Sequence, residues 1–153
     1  MKDYFLRLYD HAAWANRRLL DSLRGPEPAD GLALKLFSHL LAAERVWAVR
    51  LQGQDSSGLP IWPDMSIDEC AGLMAANVAA YRQYLAGLGE GGMGLEVGYK
   101  DSKGQEFRTA VGDILSQVAL HGAYHRGQMT AAIKGAGGRA VNTDFITFVR
   151  EGG

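Results

Sequence analysis

Glycine and proline divide this chain into four long segments, and that division restricts the fold more than any other feature of the sequence. The breaks fall at residues 25–28, 53–63, 87–98 and 135–138. Each segment between them carries apolar residues at steps of three and four, the spacing that places side chains on one face of an α-helix. The sequence therefore predicts an all-α protein, a bundle of four amphipathic helices.

The ends of these helices follow from local signals. The first is expected over residues 2–24, since Gly25 and Pro26 would end any helix. The second is expected from Asp30, which can serve as an N-cap, to Gly53. The third begins with the capping-box pattern of Ser66 and runs to about residue 88, and the fourth covers about residues 109–134.

The segments between the helices carry two further predictions. Residues 95–100 and 105–109 flank a glycine-containing turn and predict a small β-hairpin between helices three and four. Residues 54–65 can stretch to roughly 40 Å, whereas a helix as long as the second spans about 34 Å. This connection can therefore run back along the bundle and leave helices two and three parallel, although a tighter antiparallel path is also open.

Composition limits the class of protein. The 153 residues, 47% of them hydrophobic and 22% charged, fit one globular domain over residues 1–153. Sixteen basic and seventeen acidic residues leave a net charge of −1, so no broad cationic surface is expected for nucleic acid. A single cysteine, the absence of a signal peptide and the lack of a long apolar run predict a cytoplasmic protein with no membrane span.

Three of the four histidines are expected to face the same core. His121 and His125 are four residues apart on helix four, a spacing at which two imidazoles can bind one metal ion. Such pairs more often lie on a solvated face, but here they share a stripe with apolar residues. His39 occupies the apolar stripe of helix two, and by itself it would be a core histidine bound to a carbonyl group. The convergence of all three favours a divalent metal site.

Other chemically active side chains are assigned structural roles. His11 is expected on a wet face of helix one, and Cys70 is expected to be a small core thiol rather than a fourth metal ligand. Trp62 and Tyr81 could line a substrate pocket, but aromatic residues at helical spacing are more often core. Five basic residues are expected on solvated faces: Arg17, Arg18, Arg45, Arg50 and Arg126.

Three motifs resemble the DinB-like family, which includes thiol-dependent transferases and maleylpyruvate isomerases. They are YDHAAWAN at 9–16, HLLAAERVW at 39–47 and HGAYHRGQ at 121–128. The resemblance implies an up-down-down-up four-helix bundle, a divalent metal held by the histidine triad His39, His121 and His125, and a homodimer. Gln117 departs from the pattern, because relatives commonly carry a further histidine there.

Two functions are compatible with these observations. Three imidazoles leave a coordination position open, as in catalytic sites. In the first hypothesis a Zn or Ni ion activates a low-molecular-weight thiol for transfer to a small electrophile, and Tyr124 or Gln128 orients that small-molecule ligand. The alternative is a non-catalytic, metal-stabilised binding or stress-response module, since fold-level analogy does not decide between the two.

We predict a homodimer from the number of large apolar residues on the helices. Tyr4, Trp14, Trp47 and Phe148 exceed what one narrow seam of a 153-residue bundle can enclose. Light scattering at micromolar concentration should give twice the chain mass. A monomer mass under those conditions would show the prediction to be wrong.

Overall fold

The computed structural model describes residues 1–25 and 31–153. Four long helices and a small hairpin make up the fold, as predicted, while the expected N-cap Asp30 lies outside the described residues. A short fifth helix was not predicted, because six residues are too few to show helical periodicity. The elements are α1 (Lys2–Arg24), α2 (Gly31–Leu51), α3 (Ile67–Gly87), β1 (Glu96–Lys100), β2 (Glu106–Ala110), α4 (Val111–Gly135) and α5 (Phe145–Arg150).

Helices α2 and α3 run parallel. Near their beginnings, the Ser38 hydroxyl lies 3.5 Å from the Cys70 thiol, and further along both helices the Tyr81 hydroxyl donates to the Glu44 carbonyl at 2.7 Å. The connection between these helices must therefore return along the bundle, which the length of residues 54–65 permits. Of the two paths that the sequence left open, the structure adopts the longer one.

Helix α1 fixes the remaining directions. The Lys2 ammonium group, at the start of α1, donates to the Ala86 carbonyl at the end of α3, so these helices are antiparallel. The Tyr9 hydroxyl donates to the Leu115 carbonyl in the first turns of α4, so α1 and α4 are parallel. With α2 and α3 parallel, the bundle is up-down-down-up, in agreement with the expectation from the family resemblance.

Two apolar clusters fill the bundle, one toward each end. Cys70 is fully buried in one of them, where burial raises the pKa of its thiol, and this confirms it as a core residue.

The capping box of α3 is also confirmed, since the Ser66 side chain accepts from the Glu69 amide and the Glu69 carboxylate accepts from the Ser66 amide. The hairpin closes the other end of the core, where Tyr99 packs on Trp47.

Arg50 is buried, so its predicted place on a solvated face is wrong. Its guanidinium lies 4.7 Å from the Trp47 ring and 4.8 Å from the Tyr99 ring, and it donates to the Ser56 hydroxyl and the Lys100 carbonyl. These contacts tie α2 to the hairpin. Helical spacing could not predict them, because the hairpin comes from a distant part of the sequence.

The aromatic residues behind the homodimer prediction differ in exposure. Phe148 is buried beneath α1, Trp14 and Trp47 are partly buried, and Tyr4 is 60% exposed. Within residues 1–25 and 31–153, no helix combines the length and the apolar character needed to cross a membrane.

Candidate metal centre

The three predicted histidines come together between α2 and α4. Each of His39, His121 and His125 offers one ring nitrogen such that the three nitrogens lie within 4.8 Å of one another. Because α2 and α4 pack side by side, a single histidine on α2 faces the pair on α4. His39 and His125 are buried and His121 is partly buried. The convergence that the sequence predicted is therefore present.

The connection between α2 and α3 orients His39. The His39 Nδ1–H donates to the Ile61 carbonyl at 2.7 Å, and the Trp62 indole stacks on the imidazole at 3.7 Å between ring centres with 7° between planes. A backbone carbonyl only accepts, so the proton is on Nδ1 and Nε2 keeps a free lone pair. This arrangement is typical of metal-ligating histidines.

Gln128 orients His125 in the same manner. The His125 Nδ1–H donates to Gln128 Oε1 at 2.7 Å, and the other end of the amide donates from Nε2 to the Tyr124 hydroxyl at 3.1 Å. The lone pair of His125 Nε2 then faces His121, whose Nε2 lies 3.1 Å away. Both of the oriented histidines therefore present Nε2 to the same site.

Burial favours the neutral form of His121 and of His125. The pKa of His121 is lowered from 6.5 to about 4. Desolvation is the largest cause, and the proximity of His125 and His39 adds to the shift. Desolvation also lowers the pKa of His125, although the hydrogen bond to Gln128 opposes this shift. Neutral imidazole is the form that binds metal, so the lowered pKa values of His121 and His125 are compatible with metal binding at neutral pH.

The geometry fits a divalent metal ion. Two nitrogens bound to one tetrahedral zinc at about 2.05 Å lie about 3.3 Å apart, close to the 3.1 Å between His121 and His125. In the part of the chain that the structure describes, no other three histidine, cysteine or carboxylate side chains come this close together. Cys70 is not part of the group, and Gln117 is exposed one turn from His121.

The two aromatic residues considered for a substrate pocket lie in different surroundings. Tyr81 is 3% exposed and confirmed as core, but Trp62 is 53% exposed and stacks on His39, so its assignment to the core is wrong. The hydrogen bond from His39 to the Ile61 carbonyl could not be predicted from the sequence. Residues 54–65 have no periodicity, and only the parallel arrangement of α2 and α3 brings them to His39.

Two further predictions, the solvated positions of Arg126 and His11, are wrong. Arg126 is 2% exposed rather than solvated, and its guanidinium donates to Asn16, which in turn donates to the Glu44 carboxylate. His11 is buried rather than on a wet face, because residues 143–150 cover it and the Thr143 carbonyl accepts from its Nε2–H at 2.8 Å. Without a prediction of α5, the sequence could not reveal this cover.

The fold and the site together define a class: an up-down-down-up helical bundle with a three-histidine centre between its second and fourth helices. The sequence model of the DinB family matches residues 31–151 of this chain, and the chain belongs to that family. It is also similar to the protein DinB of Bacillus subtilis (strain 168), with 23% identity over 95% of this chain and 93% of that protein.

The lowered pKa of His121 predicts the stability of the metal-free protein against pH. Unfolded histidine titrates near 6.5, whereas folded His121 titrates at about 4, so between these values the unfolded state binds a proton that the folded state does not. The free energy of unfolding should therefore fall as the pH is lowered from about 6.5 to 4. Urea unfolding of the metal-free protein measures this dependence, and a His121→Gln variant should show a shallower slope. Equal slopes in the two proteins would contradict the prediction.

Gln128 should support metal affinity without touching the metal. A Gln128→Ala variant loses the partner of His125 Nδ1, and loss of such a partner typically weakens metal binding about 10- to 100-fold. Zinc titration in competition with a chelator measures the change. Gln117→Ala is the matched control, since Gln117 is exposed on the same helix and should leave the affinity unchanged. Equal affinities for both variants would exclude this role.

Proposed function

We propose that this protein binds one divalent metal ion through His39, His121 and His125 and acts as a metal-dependent thiol S-transferase on a small electrophile. The observation that carries the proposal is the orientation of the two buried ligands. Both His39 and His125 use Nδ1 in hydrogen bonds within the protein, so their Nε2 atoms are reserved for one common cation. Imidazole ligands suit zinc and nickel, which are the ions we propose.

Three protein ligands are the number found in catalytic centres, where a further position accepts a small molecule. A divalent ion bound there supplies Lewis acidity, which favours the thiolate form of a low-molecular-weight thiol near neutral pH. In the transfer, the sulfur forms a bond to carbon of the electrophile, the thiol proton passes to solvent, and the electrophile's leaving group departs with its bonding electrons.

Two aromatic residues support a role in substrate binding. Trp62 and Tyr124 lie against His39 and His125 respectively, and both remain more than half exposed. The Tyr124 oxygen accepts from Gln128, so its hydroxyl proton is available to an acceptor atom of a bound substrate. We assign substrate orientation to Tyr124 and the positioning of both Tyr124 and His125 to Gln128.

A non-catalytic, metal-stabilised module is the second candidate, and one observation favours it. His39 is joined to the connection between α2 and α3 through Ile61 and Trp62, so a metal on His39 would also fix that connection in place. In this case the metal stabilises the fold and no thiol reaction follows.

Cobalt substitution separates the two candidates. For the transferase, adding L-cysteine or 2-mercaptoethanol to the Co(II) protein should produce a sulfur-to-cobalt charge-transfer band, and the loaded protein should consume thiol when a chlorodinitrobenzene is supplied. For the stabilising module, cobalt should raise the resistance of the protein to urea, and the absorption spectrum of the Co(II) protein should not change when thiols are added. The His125→Ala variant should not retain one cobalt ion per chain, whereas the Gln117→Ala variant should behave like the unchanged protein. Full cobalt retention in His125→Ala would overturn both candidates.

A further inference from the structure

A second cavity lies on the side of α4 opposite the histidine triad. It is a groove of about 340 Å³ between α1 and α4, with α5 at its end. Its walls are mostly apolar and include Phe5 and Leu8 from α1, Ala119 and Ala123 from α4, and Phe145 from α5. Grooves of this size and character bind small molecules when a few polar groups converge on them.

The groove contains one cationic side chain, Arg126, which is 2% exposed. Of the five N–H donors of its guanidinium, one from Nη1 goes to the Asn16 side chain at 3.2 Å, and none goes to a carboxylate in the part of the chain described. The guanidinium folds back over Gly122, where a Cβ would lie 2.9 Å from Nη1. Glycine at position 122 therefore makes room for the charge beside the groove.

The charge of Arg126 is only partly compensated. Glu44 on α2 attracts the Arg126 charge but makes no direct ion pair with it, and the Glu44 carboxylate already accepts hydrogen bonds from Asn16 and Asn77. Unused guanidinium donors in an apolar setting favour an anion and repel a cation.

We propose that this groove binds a small amphipathic carboxylate, with the carboxylate on the Arg126 guanidinium and the apolar body against α1, α4 and Phe145. A planar guanidinium matches a carboxylate with two parallel hydrogen bonds. The apolar walls suit the apolar body of the ligand. Among the other polar side chains of the groove, the His11 Nε2–H donates to the Thr143 carbonyl and the Ser116 hydroxyl donates to the Gly112 carbonyl, whereas Tyr4 is 60% exposed.

The proposal is independent of the metal function. Ala119 and Ala123 project from the side of α4 opposite His121 and His125, since residues 121 and 123 lie about 200° apart on a helix of 3.6 residues per turn. Arg126 lies about 140° from His121 around the helix, and its guanidinium bonds to Asn16 on α1 rather than to the triad. Carboxylate binding should therefore be the same in the metal-free and the zinc-loaded protein. This also separates the groove from direct ligation of zinc by a carboxylate.

Calorimetric titration with octanoate tests the inference, with 1-octanol and octylamine as ligands of equal length. Octanoate should bind the full chain at millimolar concentration or below with equal affinity with and without zinc, and the alcohol and the amine should bind at least about tenfold more weakly. Equal binding of octanoate and octanol, or binding of octanoate only with zinc, would overturn the proposal.

Two variants locate the site. Arg126→Met should weaken octanoate binding about tenfold or more while leaving octanol unchanged. Because Arg126 belongs to a buried network and its loss could unfold the protein, Ala123→Phe provides a second test that fills the groove from its exposed rim. Ala131→Phe is the matched control on the exposed surface of α4, and it should bind octanoate normally.

Unchanged octanoate affinity in Ala123→Phe would place the ligand elsewhere and overturn the proposal. Light scattering of the same samples identifies the competing occupant, a second copy of the chain. A dimer that fails to bind octanoate would show that the chain itself covers the groove and would equally overturn the assignment to a small carboxylate.

Discussion

The packing of α2 against α4 is the contact on which the histidine site depends. It sets one histidine of α2 opposite two histidines of α4, which stand one turn apart. A helix pair can hold this register only if the rest of the bundle resists sliding. Phe37 and Met129, both fully buried between the helices, belong to the apolar cluster that provides this resistance on one side of the triad.

A buried polar network adds specificity to this packing. Glu44 on α2 accepts from Asn16 on α1 and from Asn77 on α3, while Arg126 on α4 donates to Asn16, so the network joins all four long helices. Desolvation raises the pKa of Glu44, and the charge of Arg126 opposes that rise. The network is incomplete at one atom, since the buried Oδ1 of Asn77 has no hydrogen-bond partner among the described residues, and its remaining bonds favour the helix arrangement that makes them.

Helix α4 therefore lies between two different environments. One side presents neutral imidazoles whose pKa values are lowered by burial, and the other presents a buried guanidinium beside an apolar groove. We propose a cation on the first side and an anion on the second. In these two proposals the adjacent residues His125 and Arg126 belong to sites of opposite electrostatic preference.

The sequence by itself determined the four helices, the hairpin and the three histidines, because period and spacing are local properties that survive in any tertiary arrangement. It did not determine the burial of His11 and Arg126 or the contact of Trp62 with His39. The burial of His11 depends on α5 folding over α1, and the contact of Trp62 with His39 depends on residues 54–65 returning along the bundle. Only the tertiary structure decides such long-range contacts, since no local pattern records which distant segment will cover a side chain.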